Sequence, residues 1–170
     1  MNPKSMEEAD AFMEFISKGT NLISEDMHFN IGGDHEFTFS VEGWPDLFII
    51  YPYIISCMPE CLKGKWKFFP FNPGKVGSFA YRVHDTDVDM GKIMVKASYD
   101  EKRENFNIRY YDKNLCALPE ENSDGNFHVI LELVLGEGVS FKYVNGIERA
   151  SGIEEGMIAL SGLRQHIEET

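Results

Sequence analysis

Asp85, Asp87 and Asp89 alternate with Thr86 and Val88 ahead of Gly91. Carboxylates at every second position before a glycine are the way a short loop wraps a hard cation. Here the glycine comes one place late, and Lys96 stands where the bidentate Glu of a calcium loop belongs. The three aspartates are therefore metal candidates by spacing alone, a solvated acidic loop is the expectation, and neither a metal nor a cofactor is assigned. Cys57 and Cys61 stand where one helical turn would bring two thiols together, but Pro59 between them should end the helix, and no Cys/His pair at zinc spacing accompanies them. With Cys116 they make three cysteines, so reduced thiols buried as small apolar side chains are expected rather than a disulfide framework. Cys116 with His84 or His128 would make a nucleophile and base, yet nothing in the spacing joins them. The Ser elbow, the phosphate loop, the dinucleotide glycine pattern and the H-E-x-x-H zinc motif are all absent.

The other chemistry-bearing stretch is Pro59 to Gly74, where Lys63, Lys65 and Lys67 interleave with Trp66, Phe68, Phe69 and Phe71. Lys63, Lys65, Lys67 and Lys75 are 4 of the 16 basic residues, a concentration that suits an anion or an acidic patch on a partner. Strand alternation instead sends Trp66 and Phe68 to a core face and the lysines to water, where they guard an edge. Lys63, Lys65, Lys67, Trp66 and Glu137 are the candidate binding residues. A hydrolase reading needs at least two of His84, His128, Asp87, Glu132 and Glu137 to converge in a cleft.

The elements that must position these groups are read as follows. Ser5 to Glu8 fits a capping box, and Met6, Ala9, Phe12 or Met13, and Ile16 recur at helical spacing up to Gly19, the expected stop. Met27 to Ile31 and Glu36 to Glu42 flank Gly32-Gly33-Asp34 as a hairpin, with Phe37, Phe39 and Val41 on its core face. His28 and His35 lie at its ends as surface histidines. Leu47 to Met58 is apolar throughout; Pro45, its length and its flanks favour a helix kinked at Pro52 and sandwiched in a core. The strand at Lys65 to Phe68 is expected near the core's centre, and at Pro70 it bulges, ends or lies at an edge. Val76 to Val83 is a further strand, and Ile93 to Tyr99 with Phe106 to Tyr110 a second hairpin around the polar Asp100 to Asn105. Leu115 to Gly125 is turn-rich. Phe127, Val129, Leu131, Leu133 and Leu135 alternate as the most apolar strand, placed at the centre of the sheet. Gly136-Glu137-Gly138 ends it, with Glu137 capping a short helix over Val139 to Val144. A Gly-rich linker, Asn145 to Gly156, leads to a closing helix bearing Leu160, Leu163 and Ile167. No internal repeat is visible.

At 170 residues, the chain suits one domain burying roughly 70% of its unfolded surface. Its 28 acidic against 16 basic residues leave a net charge of -12. Such a charge repels phosphate backbones and anionic lipid, disfavouring nucleic acid and membrane and favouring a basic protein partner. The longest apolar run, broken by Pro52, is shorter than the roughly 18 residues of a membrane span, and the first ten residues lack a signal peptide's apolar core. A soluble, cytoplasmic protein is expected.

The ordered segments Lys63-Gly64-Lys65-Trp66, Phe71-x-Pro73, Leu133-x-Leu135-Gly136-Glu137, Gly146-Ile147-Glu148 and Leu160-x-x-Leu163 resemble an uncharacterised bacterial domain-of-unknown-function family numbered 695, over about Phe37 to the C-terminus. The resemblance implies a small cytosolic α+β domain with no established activity, of a kind found among accessory or immunity factors, and it carries over no catalytic residue. The loop from Val76 to Met90 departs from the family's pattern. The reading as a whole is a single α+β domain, mainly an antiparallel sheet of about six strands with an N-terminal, a central apolar and a C-terminal helix packed on it. Its expected function is non-enzymatic binding of a basic protein partner, with the hydrolase as the alternative.

Overall fold

The computed structural model describes residues 6–21, 27–32, 35–75, 80–83 and 86–170. The Ser5 cap, the Gly33-Asp34 turn, the start of the strand expected from Val76, His84 and Asp85 lie outside the described residues, as do the side chains of Met6, Ala9, Phe12 and Met13. The protein is α+β, as expected, but among the described residues the strands form three small sheets of three, two and four strands rather than one of about six. The chain gathers into two compact units, Met1–Pro70 and Phe71–Thr170.

In the first unit, α1 (Met6–Asn21) is followed by β1 (His28–Gly32) and β2 (Glu36–Ser40). The helix continues through Gly19, the expected stop, to a buried Thr20 whose hydroxyl donates to the Ser17 carbonyl at 3.0 Å. A glycine inside a helix is a cost of about 1 kcal/mol, not a barrier. β1 and β2 pair antiparallel from His28↔Ser40 to Gly32↔Glu36, and Phe37, Phe39 and Val41 are buried as the alternation requires. Helices α2 (Leu47–Ser56) and α3 (Glu60–Lys63) carry the chain across to β3 (Lys67–Phe69), which joins β2 in parallel. Pro59 does separate the two helices. β3 ends one residue before Pro70 and occupies the edge of the β1-β2-β3 sheet, not the centre of a core.

In the second unit, β4 (Ala80–Val83) and β5 (Thr86–Asp89) form a two-stranded ladder. β6 (Met94–Asp100) and β7 (Asn105–Tyr111) form the expected second hairpin. The expected central strand at Phe127 to Leu135 is instead the second half of a helix, α4 (Glu120–Leu135). Seven of those nine residues are apolar, so the stretch satisfies a strand template and a helix template alike. The preceding turns decide it. Pro119 accepts the Ser123 amide at 2.9 Å, and Glu120 and Glu121 occupy the first turn, where the helix dipole favours negative charge. The buried set, Ser123, Phe127, Ile130, Leu131, Val134 and Leu135, has helical spacing, and Val129 is exposed. After α5 (Glu137–Tyr143) comes β8 (Val144–Arg149), a strand lying within the stretch expected to be a linker and pairing parallel with β7. Gly146 favours a loop, but Ile147 lies opposite Ile108 on β7, and that pairing makes the segment a strand. Two residues of β9 (Ile158–Ala159) pair with β6, and α6 (Leu163–Glu169) closes the chain with Leu160, Leu163 and Ile167 buried as expected. The core runs through Val95, Ile108, Tyr110, Phe127, Leu131 and Leu160.

Each unit therefore follows one order: hairpin, two helices, then a third strand parallel to the second. A parallel neighbour requires such a crossover. In each, an aromatic ring on the first crossover helix also stacks on the hairpin's second strand or its ring-bearing end. Tyr51 lies 4.6 Å from Phe39, and Phe127 lies 3.9 Å from Tyr110. No described helix is long and apolar enough to cross a membrane.

Candidate functional site

The outer face of α2 is built from the residue level upward by one aromatic anchor. Leu47 and Tyr51, one turn apart, are buried. The Tyr51 ring stacks on Phe39, and its hydroxyl donates to the Ser40 carbonyl at 3.2 Å and accepts the His28 amide at 3.3 Å. That contact fixes which way the helix faces. Residues two positions further on lie about 200° round the axis, so Ile49 and Tyr53 point away from the hairpin, and they are 78% and 69% exposed. They are themselves one turn apart and so neighbours on the surface. Ahead of the helix, Glu42 and Gly43 both have positive φ, and the Trp44 amide donates to the Val41 carbonyl at 2.8 Å. This tight turn leaves Trp44 54% exposed. The expectation of a helix buried on all sides is thus corrected: one stripe of α2 meets the hairpin, Phe48, Ile50, Ile54 and Ile55 are half-buried, and Ile49 and Tyr53 are open. An apolar helix reads the same in sequence whether its second face is covered or bare, so nothing in the residues announced this.

The residues singled out by chemistry are mostly occupied structurally. Lys63 pairs with Glu60 at 3.0 Å and also donates to the Ser56 carbonyl, while Lys67 pairs across strands with Glu36 at 3.2 Å. Lys65 is exposed, and the half-buried Trp66 meets the His35 ring edge-on at 5.4 Å. Trp66 and the lysines do alternate between two faces, but two of the three cations are matched by carboxylates. Cys57 and Cys61 are exposed, which corrects their expected burial; Cys116 is half-buried. A short α3 carries Cys61 on the surface rather than into a core, since no residue of that helix is buried.

In the second unit, Asp87 forms a two-pronged contact with Arg82 at 2.8 and 3.3 Å, and the arginine holds its carboxyl below the usual range. Asp89 accepts the Gly91 amide and pairs with Lys92. Among the described residues, no three His, Cys, Asp or Glu side chains are grouped to hold a metal. His128 and Glu132 meet at 3.4 Å one turn apart on α4, and the carboxylate raises the imidazole above its ordinary value. The Cys116 thiol lies 3.9 Å from the Ala150 carbonyl.

Glu137 is 4% exposed and holds a crossing of two backbones. Its carboxylate accepts the Asn72 amide at 3.0 Å, its own amide donates to the Asn72 carbonyl at 3.0 Å, and the Lys75 amide donates to the Leu133 carbonyl at 2.7 Å. Arg164 on α6 donates to the Pro73 carbonyl at 2.9 Å. A second cluster has the residue types of a nucleophilic relay: the Tyr110 hydroxyl donates to Asp124 at 2.6 Å and lies 2.6 Å from the Ser123 hydroxyl. Tyr110 and Ser123 are fully buried, and burial together with Asp124 pushes the phenol well above its ordinary value. This buried hydroxyl pair ties α4 to β7.

No family model matches the chain, and neither a curated protein nor a solved structure matches it.

Proposed function

We propose that the protein is a non-enzymatic binding protein that takes a basic protein partner on the outer face of α2. The observation that carries the reading is the pair Ile49 and Tyr53, adjacent, large, apolar and more than two-thirds exposed. Aromatic and aliphatic side chains of this kind are the anchors on which interface energy concentrates. Charge selects the partner: Met1–Pro70 holds 11 acidic against 5 basic residues, and an acidic rim accelerates encounter with a basic surface. In the immunity-type form of this reading, implied by the resemblance to family 695, the partner is a basic protein whose activity is blocked by docking.

A basic amphipathic helical peptide, melittin, serves as the probe in titration calorimetry. The full chain should bind it saturably, more weakly at about 300 mM than at about 50 mM salt. The double variant Ile49→Asp with Tyr53→Asp should lose at least about tenfold in affinity, the scale of one anchor residue. Equal affinity for the variant and the parent, or no dependence on salt, overturns the proposal.

A further inference from the structure

The second unit contains a half-open cavity of about 720 Å³, within the roughly 300–1,000 Å³ range of small-molecule sites. Three elements build it: the β6–β7 hairpin end, α5 and α6. Its apolar lining is Phe106 and Ile167, both buried, the half-buried Val139, and the rings of Tyr99 and Tyr143. The Tyr99 and Phe106 rings lie 5.0 Å apart, so a flat aromatic body meets ring faces and edges on entry.

The rim holds Arg103, Lys142, Glu104 and Glu168. Glu168 pairs with Arg164 at 3.0 Å, and the Arg103 guanidinium donates one N–H to the neutral Asn145 at 3.1 Å, leaving its other donors. Lys142 extends over the Tyr143 ring, its ammonium 4.6 Å from the centroid. Among the described residues, neither Arg103 nor Lys142 has a carboxylate within ion-pair distance, and Glu104 has no cation. Arg103 and Lys142 are thus the two lining cations without an ion pair among the described residues, beside Glu104, Glu168 and Thr170.

We infer that this cavity is a small-molecule site for an organic anion: an aromatic body seated on Phe106, Val139 and Ile167 between the two tyrosines, with its anionic end group at Arg103 and Lys142. Arg103 supplies planar, directional donors, and Lys142 supplies a mobile point charge. No bond is made or broken.

The probe is 8-anilinonaphthalene-1-sulfonate, read by fluorescence on the full chain, with N-phenyl-1-naphthylamine as the same aromatic body lacking the sulfonate. The sulfonate should bind saturably at one site and more tightly than the neutral dye. Replacing both cations, Arg103→Gln with Lys142→Gln, should weaken the sulfonate about tenfold while leaving the neutral dye within about twofold, as loss of two exposed charge contacts implies. Filling the apolar lining with Val139→Trp should abolish both, with circular dichroism verifying the fold. The two surface substitutions need no core change, so the test survives if the Trp variant fails to fold. Tighter binding of the neutral dye, or sulfonate binding unmoved by the double glutamine variant, overturns the inference.

Discussion

Removing the Tyr110 hydroxyl asks what a sealed polar cluster contributes. The phenol has one proton, which goes to Asp124 at 2.6 Å, so the Ser123 hydroxyl must donate to the phenol oxygen. Tyr110→Phe leaves that buried donor without an acceptor and should cost about 1–3 kcal/mol in urea unfolding. Adding Ser123→Ala should recover part of the loss, because removing both partners is cheaper than removing one. The direction with pH follows from the raised phenol. Its unfolded value is 10.0 and its folded value is higher, so above pH 10 the unfolded chain releases a proton that the folded chain keeps. Stability supplied by this group is therefore fully present below that pH and is lost as pH rises through the folded value. The parent should lose more stability than Tyr110→Phe between about pH 9 and 11; parallel curves would show that the hydroxyl contributes nothing.

At the scale of elements, the joint between the irregular Asn72–Gly74 segment and the α4–α5 boundary makes the tightest backbone demands among the described glycines. Gly136 has φ 86 and ψ 149, a region open essentially to glycine alone. A Cβ there would lie 2.7 Å from the Pro73 carbonyl carbon, and one on Gly74 would lie 2.6 Å from the Gly136 amide nitrogen. Backbone cannot move aside as a side-chain tip can. Gly136→Ala should cost at least about 2 kcal/mol, combining strain and clash. Gly125, inside α4 with nothing within 4 Å of an added Cβ, supplies the opposite case: Gly125→Ala should stabilise by about 0.5–1 kcal/mol. Thermal unfolding of the two variants should therefore shift in opposite directions. In the sequence, Leu133 to Glu137 carries part of the ordered resemblance, and Glu137 is a candidate binding residue. Its carboxylate instead serves this joint, because a buried acceptor beside an orphan amide is satisfied most directly by the backbone that crosses it.

For the molecule as a whole, order should be graded between the units. In the second unit one core joins β6, β7, α4 and α6 through fully buried Val95, Ile108, Leu131 and Leu163. In the first, α2 buries only Leu47 and Tyr51 of its ten residues. Hydrogen exchange reports opening free energy locally, and amides backed by a packed core open last. The slowest-exchanging amides should lie in β7 and α4, with α2 exchanging at least tenfold faster on the order-of-magnitude scale of a 1.4 kcal/mol difference. Uniform protection across both units would show that α2 is held by more than its one aromatic stripe.

Periodicity by itself determined both hairpins, the N-terminal and closing helices, the break at Pro59 and the end of β3 before Pro70, because each rests on local sterics or on an alternation that only one period fits. The acidic balance likewise needed no coordinates. Only tertiary structure decided the rest. Phe127 to Leu135 carries too many apolar residues for its period to be read, so the turn of helix ahead of it and the β7 face against which it packs set its state. Burial of α2 could not be read for the same reason, since an all-apolar helix does not say which of its faces will find a partner. The cavity was illegible for a different one: Arg103, Lys142 and Glu168 are far apart in the chain and chemically ordinary, and only the meeting of a hairpin end with two helices places them on one rim.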